Sequence, residues 1–292
     1  MTHSRRQFLT GGAYTTVLAP FFAIDRALAT SAPDLGQNSD QAREKAAQSH
    51  TDLMNYPQMN MHGDEEIAML LYPGMTMLDL VGPQYFFASM MGANVHLVSG
   101  DDSLAPVLGD TGFAICPTIG MNACPSVLDV LFIPGGLSGT VNAMNDERTI
   151  EFVADRGSRA RFVTSVCTGS LVLGQAGLLE GKRATSHWAA RHLLPEFGAT
   201  VVKSRLVSDG NVVTGAGVSA GLDFGLAMLA ELRSDVYARV TQLIAEYAPE
   251  PIFNAGSPEN IEPDLRDPVH GIFATSILEM KQAAKHRRRG PD

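Results

Sequence analysis

Phe162-Val163-Thr164-Ser165-Val166-Cys167-Thr168-Gly169 is the stretch whose reading decides the fold. Its first five residues suit a strand buried on both faces, and a helix is expected after Cys167, with Gly177 capping its end. The same pattern recurs on either side. Ile67-Ala68-Met69-Leu70-Leu71-Tyr72 stops at Pro73-Gly74, and Val130-Leu131-Phe132-Ile133 stops at Pro134-Gly135-Gly136. Continuous apolar runs bounded by turn residues predict buried strands. Val95-His96-Leu97-Val98 is a further strand. Helical character is expected over Leu78 to Met91 and near Glu147 to Arg159, and Val107 to Ile115, with Gly109 and Gly112, looks like a hairpin excursion. Strands alternating with helices predict an α/β fold with a mostly parallel sheet covered on both faces.

Further along, Val201 to Val207 and Val212-Val213-Thr214 flank Asp209-Gly210, a hairpin turn signal. Gly215-Ala216-Gly217 then opens a helix from Ser219 to about Leu232. Glu246-Tyr247-Ala248-Pro249 is expected to close the compact part. An apolar helix at Ile272 to Met280 precedes the run His286-Arg287-Arg288-Arg289, read as a solvated tail. The stretch after Asn254 is too short for a two-helix DNA-binding module with a core of its own.

Composition narrows the function. The chain has 292 residues, 45% of them hydrophobic, 18% charged, and a net charge of -9. No basic field covers the body, so nucleic acid is not an expected partner. Three cysteines, Cys116, Cys124 and Cys167, are too few for a disulfide framework. None forms a CxxC pair, and no His/Cys group has zinc-ligand spacing, so a tightly bound structural metal is not expected.

The N-terminus reads as a targeting segment. Arg5-Arg6 precedes an uncharged stretch, Leu9 to Ile24, and Ala27-Leu28-Ala29 is a small-x-small cleavage site. Paired arginines in that order indicate a twin-arginine signal peptide over residues 1–29 and a periplasmic protein with no stable membrane anchor after cleavage, the alternative being an uncleaved anchor. Residues 30–64 lack sustained apolar periodicity and are read as a linker, with at most a short helix at Asp40 to Gln48. The catalytic domain is placed at 65–258, and 259–292 forms a C-terminal extension.

Chemistry centres on Cys167. A strand-to-helix elbow carries its side chain to the carboxyl edge of the sheet, where ligands bind in such folds. The helix start favours a thiolate, so the thiol is expected to be acidic and accessible. The spacing is the cysteine counterpart of the serine elbow, with Ser165 in place of the first glycine. Asp79, within Met77-Leu78-Asp79-Leu80, is either a proton carrier for a nearby cysteine or a helix cap. His187, in Ala184-Thr185-Ser186-His187-Trp188, is either a partner of the cysteine or a packed histidine. Gly135 and Gly136, at a strand's carboxyl end, join His187 as candidates for substrate binding or oxyanion contacts. Cys116 and Cys124, each followed by proline, read as loop or core thiols.

From about Ile67 to Pro258 the chain resembles the isonitrile hydratase family of the ThiJ/PfpI superfamily. Leu71-Tyr72-Pro73-Gly74, Leu78-Asp79-Leu80, Gly82-Pro83 and Pro134-Gly135-Gly136 carry the resemblance. So do Val163 to Gly169, Ala184 to Trp188, Gly215 to Asp223, Glu246-Tyr247-Ala248-Pro249 and Ala255-Gly256-Ser257-Pro258. It implies a flavodoxin-like sandwich, similar to class I glutamine amidotransferases, and a homodimer. It also implies that Cys167 is the nucleophile, Asp79 its acidic partner and Thr168 a support for the cysteine. The reaction implied is addition of water to a small-molecule isonitrile, without a cofactor. The rivals are glyoxalase-like hydration of a reactive carbonyl and a non-catalytic ligand or redox sensor. Two departures stand out: Leu137-Ser138-Gly139 where more glycines are common, and Ala216 within a glycine run.

Overall fold

The structure is a computed structural model that describes residues 37–100 and 102–289. The signal peptide expected over residues 1–29 lies outside the described residues. The strands are β1 (Glu66–Leu71), β2 (Asn94–Ser99), β3 (Val107–Leu108), β4 (Ala114–Ile115), β5 (Ile119–Gly120), β6 (Val130–Ile133), β7 (Phe162–Val166), β8 (Arg183–Ala184), β9 (Thr200–Val201), β10 (Leu206–Asp209) and β11 (Val212–Gly215). The helices are α1 (Gln37–Met54), α2 (Met77–Ala88), α3 (Ser138–Asn145), α4 (Glu147–Gly157), α5 (Gly169–Gln175), α6 (Ala220–Leu232), α7 (Asp235–Ile244), α8 (Pro263–Ile272) and α9 (Ala274–Arg289), with a 3-10 helix at Arg191–Phe197.

The central sheet runs β10-β11-β7-β6-β1-β2-β5. All its pairings are parallel except β10 with β11, the hairpin at Asp209-Gly210. The α/β, flavodoxin-like reading therefore describes the molecule. The four residues of β6 and all five of β7 are buried, because helices cover both faces. On one face lie α2, α6 and α7; on the other lie α3, α4, α5 and α9. Polar residues inside β7 are tolerated where they find partners. Thr164 Oγ1, for example, donates to Leu131 O at 2.9 Å. The Val107 to Ile115 excursion is the antiparallel pair β3–β4.

Three expectations change. First, the stretch read as a linker holds an 18-residue helix, α1, longer than the Asp40 to Gln48 segment anticipated. Met59 and Met61 behind it belong to the core. Arg233 fixes this segment. It pairs with Glu65 at 2.5 Å and donates to Met61 O at 3.0 Å and Met91 O at 2.9 Å. The body thus begins before residue 65. Second, helix α3 occupies Ser138–Asn145, where Ser, Gly, Thr and Asn are poor helix formers and local propensity gave no signal. Its place is set by tertiary packing: Gly139 lies against the Gly74 backbone, where an added Cβ would meet Gly74 O at 2.4 Å. Third, the compact part does not close at Pro249. Helix α9 buries Met280, Ala283 and Ala284 against α3, α5 and the 3-10 helix. Those three sit at i, i+3 and i+4, a single helical stripe too weakly apolar to have stood out.

Candidate active site

The site forms where β1, β6 and β7 end. After β7 the chain turns sharply, and Cys167 adopts φ of +58°. A non-glycine residue in this left-handed region is held there by its surroundings. Cys167 N donates to Gly215 O at 3.1 Å and Ala216 O at 2.6 Å. Its carbonyl accepts from Ser186 Oγ at 3.0 Å and Ser170 Oγ at 3.2 Å. Helix α5 then begins at Gly169, where a Cβ would sit 2.3 Å from Ile133 O. Only glycine lets the helix start so close to the end of β6.

Asp79 comes from the third residue of α2. Its carboxylate does not cap that helix. Oδ2 instead accepts from Gly135 N at 3.0 Å, across the site. Gly135 is the junction. An added Cβ there would meet Asp79 Oδ2 at 2.6 Å, Cys167 Cβ at 2.7 Å and Thr168 N at 2.7 Å. The Asp79 carboxylate, the Cβ of Cys167 and the Thr168 amide therefore converge on one residue that has no side chain. Asp79 Oδ1 is buried without a conventional hydrogen-bond partner, and the thiol is the reactive group beside this carboxyl.

Electrostatics set the protonation of the pair. Burial pushes the Asp79 carboxyl up to about 7, against the lowering effect of the Cys167 and Gly135 hydrogen bonds. Burial, and then the negative Asp79, push the Cys167 thiol well above its usual range. Hydrogen bonds from Thr168 pull the other way and lose. The expectation of an acidic, accessible thiol is thereby corrected. Cys167 is only 5% exposed, and the α5 start does not offset dehydration plus a neighbouring carboxylate. The exposed thiol is Cys116, whereas Cys124 is buried. Near neutral pH the pair holds a neutral thiol next to a carboxyl at mid-titration, a sulfur nucleophile with its base in place.

The oxyanion reading of Gly135 and Gly136 is corrected as well. Both amides are already committed, Gly135 N to Asp79 and Gly136 N to Thr168 Oγ1 at 3.0 Å. Thr168 Oγ1 returns a bond to Gly136 O at 2.7 Å and touches Thr140 Oγ1 at 2.8 Å. Tyr72 extends the chain of hydroxyls, 3.3 Å from Thr140 and donating to Pro134 O at 2.6 Å. Thr140 went unnoticed in the sequence because its helix did. Tyr72 lay in plain view within Leu71-Tyr72-Pro73-Gly74, but its hydroxyl's direction is a tertiary fact.

His187 stands apart from the pair. Its ring packs 5.2 Å from Phe273 and 5.6 Å from Trp188, centroid to centroid, beside Gly217. Burial, helped by Arg191, lowers it to about 4, so it is neutral near pH 7. Among the described residues no hydrogen bond joins it to Cys167. The packed-histidine alternative describes its contacts; its place beside the Gly215 to Gly217 turn leaves it on the site's flank.

Comparison with known proteins agrees with this architecture. A sequence profile of the DJ-1/PfpI family matches residues 65–231. Isonitrile hydratase from Pseudomonas putida is 50% identical over 212 residues, spanning 73% of this chain and 91% of that protein. Protein DJ-1 homolog A from Arabidopsis thaliana is 32% identical over 140 residues, covering 45% of this chain and 36% of its own length. The crystal structure of a ThiJ/PfpI family protein from Pseudomonas syringae superposes with a TM-score of 0.76 at 47% identity, over 87% of this chain and 98% of that one. Drosophila melanogaster DJ-1beta shares the fold alone, with a TM-score of 0.55 and 19% identity over 64% of this chain and all of that one. With a buried cysteine elbow facing an aspartate, and half of the aligned residues identical along nearly the whole of a Pseudomonas hydratase, the chain belongs to the isonitrile hydratase family within the DJ-1/PfpI superfamily.

Proposed function

We propose that this enzyme hydrates isonitriles to N-substituted formamides, with Cys167 as nucleophile and Asp79 as proton carrier. The observation that carries the proposal is the hydrogen bond between the Cys167 thiol and the Asp79 carboxyl beside Gly135, and the 50% identity to a named isonitrile hydratase supports the substrate class. Asp79 in its ionised form takes the thiol proton as sulfur bonds to the terminal isonitrile carbon. It then delivers that proton to the same carbon, giving a thioimidate, Cys167–S–CH=N–R. Water adds to this carbon, and its two hydrogens end on oxygen and nitrogen. Collapse of the adduct breaks the C–S bond, forms the formamide carbonyl and returns a proton to sulfur. Every atom balances with water as the only co-reactant. Thr168, through its amide and hydroxyl, eases the build-up of charge on sulfur. Gly135 and Gly136 leave room for a small linear head group, and His187 contributes a neutral wall.

The test is turnover of small alkyl and aryl isonitriles by purified protein, with methylglyoxal assayed beside them. Formamide production without action on methylglyoxal is expected. Action on methylglyoxal alone replaces the proposal with glyoxalase-like chemistry. The same preparation is expected to scatter light as a homodimer, and a monomer mass across a concentration series removes that part.

Export by the twin-arginine route belongs to the same reading, and Arg5-Arg6 supports it. Replacing both with lysine is expected to strand the protein in the cytoplasm. Periplasmic protein at wild-type level after that change would exclude the route.

A further inference from the structure

The buried hydroxyl chain behind the nucleophile has a direction that proton counting exposes. Thr168 has one hydroxyl proton, and it points to Gly136 O at 2.7 Å. The same oxygen accepts from Gly136 N at 3.0 Å. Its contact with Thr140 Oγ1 at 2.8 Å must therefore use the Thr140 proton. Tyr72 gives its own proton to Pro134 O at 2.6 Å, so its 3.3 Å contact with Thr140 is packing and leaves the Thr140 proton to Thr168. Thr140 and Thr168 are 0% and 3% exposed and Tyr72 is 6% exposed, so water cannot replace these bonds. The hydroxyl of Thr168 is also within hydrogen-bonding reach of the Cys167 sulfur, so it can turn from Gly136 O to the sulfur when Cys167 loses its proton. The bond from Thr140 is compatible with both positions. It holds the Thr168 oxygen still and, by donating to it, makes it a stronger donor in turn.

We propose that Thr140 is a positioning residue for Cys167: it acts through Thr168, to which its hydroxyl donates. The inference rests on Cys167 being the nucleophile. Thr140 sits in α3, brought there by the packing of Gly139 on Gly74, so the loop between β6 and α3 has two tasks. Its first half supplies Gly135 to Asp79, and the helix that follows supplies Thr140 to Thr168.

Thr140→Val keeps the shape of the side chain and removes the donor. Labelling by iodoacetamide, mapped to the Cys167 peptide by mass spectrometry, separates Cys167 from the exposed Cys116. Below the thiol's titration the labelling rate of Cys167 is expected to fall about tenfold, the equivalent of one pH unit. The isonitrile kcat is expected to fall by a similar factor with KM little changed, and Thr140→Ser is expected to restore both. Wild-type labelling and kcat in Thr140→Val would overturn the proposal, as would failure of Thr140→Ser to recover them. Should Thr140→Val not fold, Thr140→Ala takes its place: slower Cys167 labelling supports the proposal, and unchanged labelling overturns it. If the wild-type enzyme does not hydrate isonitriles, the functional reading falls, while the labelling comparison still decides the role of Thr140.

Discussion

Cys167→Ala is expected to lose isonitrile hydration by about a thousandfold or more while keeping the fold, because the only atom that bonds to the substrate carbon is removed. Little volume changes, and the loss relieves the neighbouring carboxyl of one coupled partner. Cys167→Ser is expected to be nearly as inactive. Its hydroxyl is a far weaker acid than a thiol, and neutral, packed His187 is not placed to compensate. Wild-type enzyme quenched during turnover is expected to carry a mass increment of one isonitrile on the Cys167 peptide, the thioimidate. Substantial turnover by Cys167→Ala would end the covalent mechanism. Stability offers an internal control. Cys167 lies at φ of +58°, which costs a residue with a Cβ roughly 1 kcal/mol. Cys167→Gly should therefore be as inactive as Cys167→Ala and melt close to it, the relieved strain offsetting glycine's extra unfolded-state freedom.

What the sequence revealed of this site, and what it hid, divides along physical lines. Strand-forming runs such as Val130 to Ile133 and Phe162 to Val166 are buried on both faces, so burial is written in each residue and the sheet was legible. The elbow was legible too, because a buried strand running into Cys167-Thr168-Gly169 leaves few geometries. Helix α3 was not, since its place is set by the contact of Gly139 with a residue far away in sequence. The state of the thiol was misread for the same reason. A helix start acts locally and is visible in sequence, but dehydration and the charge of Asp79 arise from α2 and β6 folding over β7, and here they dominate. The amides of Gly135 and Gly136 were likewise free in the sequence and taken in the structure.

Asp79→Asn tests the other half of the pair. Asparagine can still accept from Gly135 N through its side-chain carbonyl, so the junction at Gly135 is expected to survive. It cannot take a proton, and turnover is expected to fall by about a hundredfold or more. The pH profile then assigns the cause. In the wild type the ionised carboxylate is the working form, and burial has raised the group to about 7. The rate is therefore expected to rise through about pH 7 and to stay up above it, since the thiol itself titrates well above its usual range. Residual activity of Asp79→Asn should lack that rise. Stability carries the opposite sign. The folded protein holds the Asp79 proton more tightly than the unfolded chain, whose carboxyl titrates near 3.8. The stabilisation from that proton is complete below the unfolded value and is lost as pH climbs through about 7. Asparagine does not titrate, so the melting temperature of Asp79→Asn relative to wild type should climb between about pH 4 and pH 7 and then level off. At the plateau the variant gains on the order of a few kcal/mol relative to its own acid-side difference. A variant less active but more stable at alkaline pH marks a carboxylate kept for proton transfer at a cost to folding. Equal turnover in Asp79→Asn, or a stability difference flat with pH, would remove Asp79 from the mechanism.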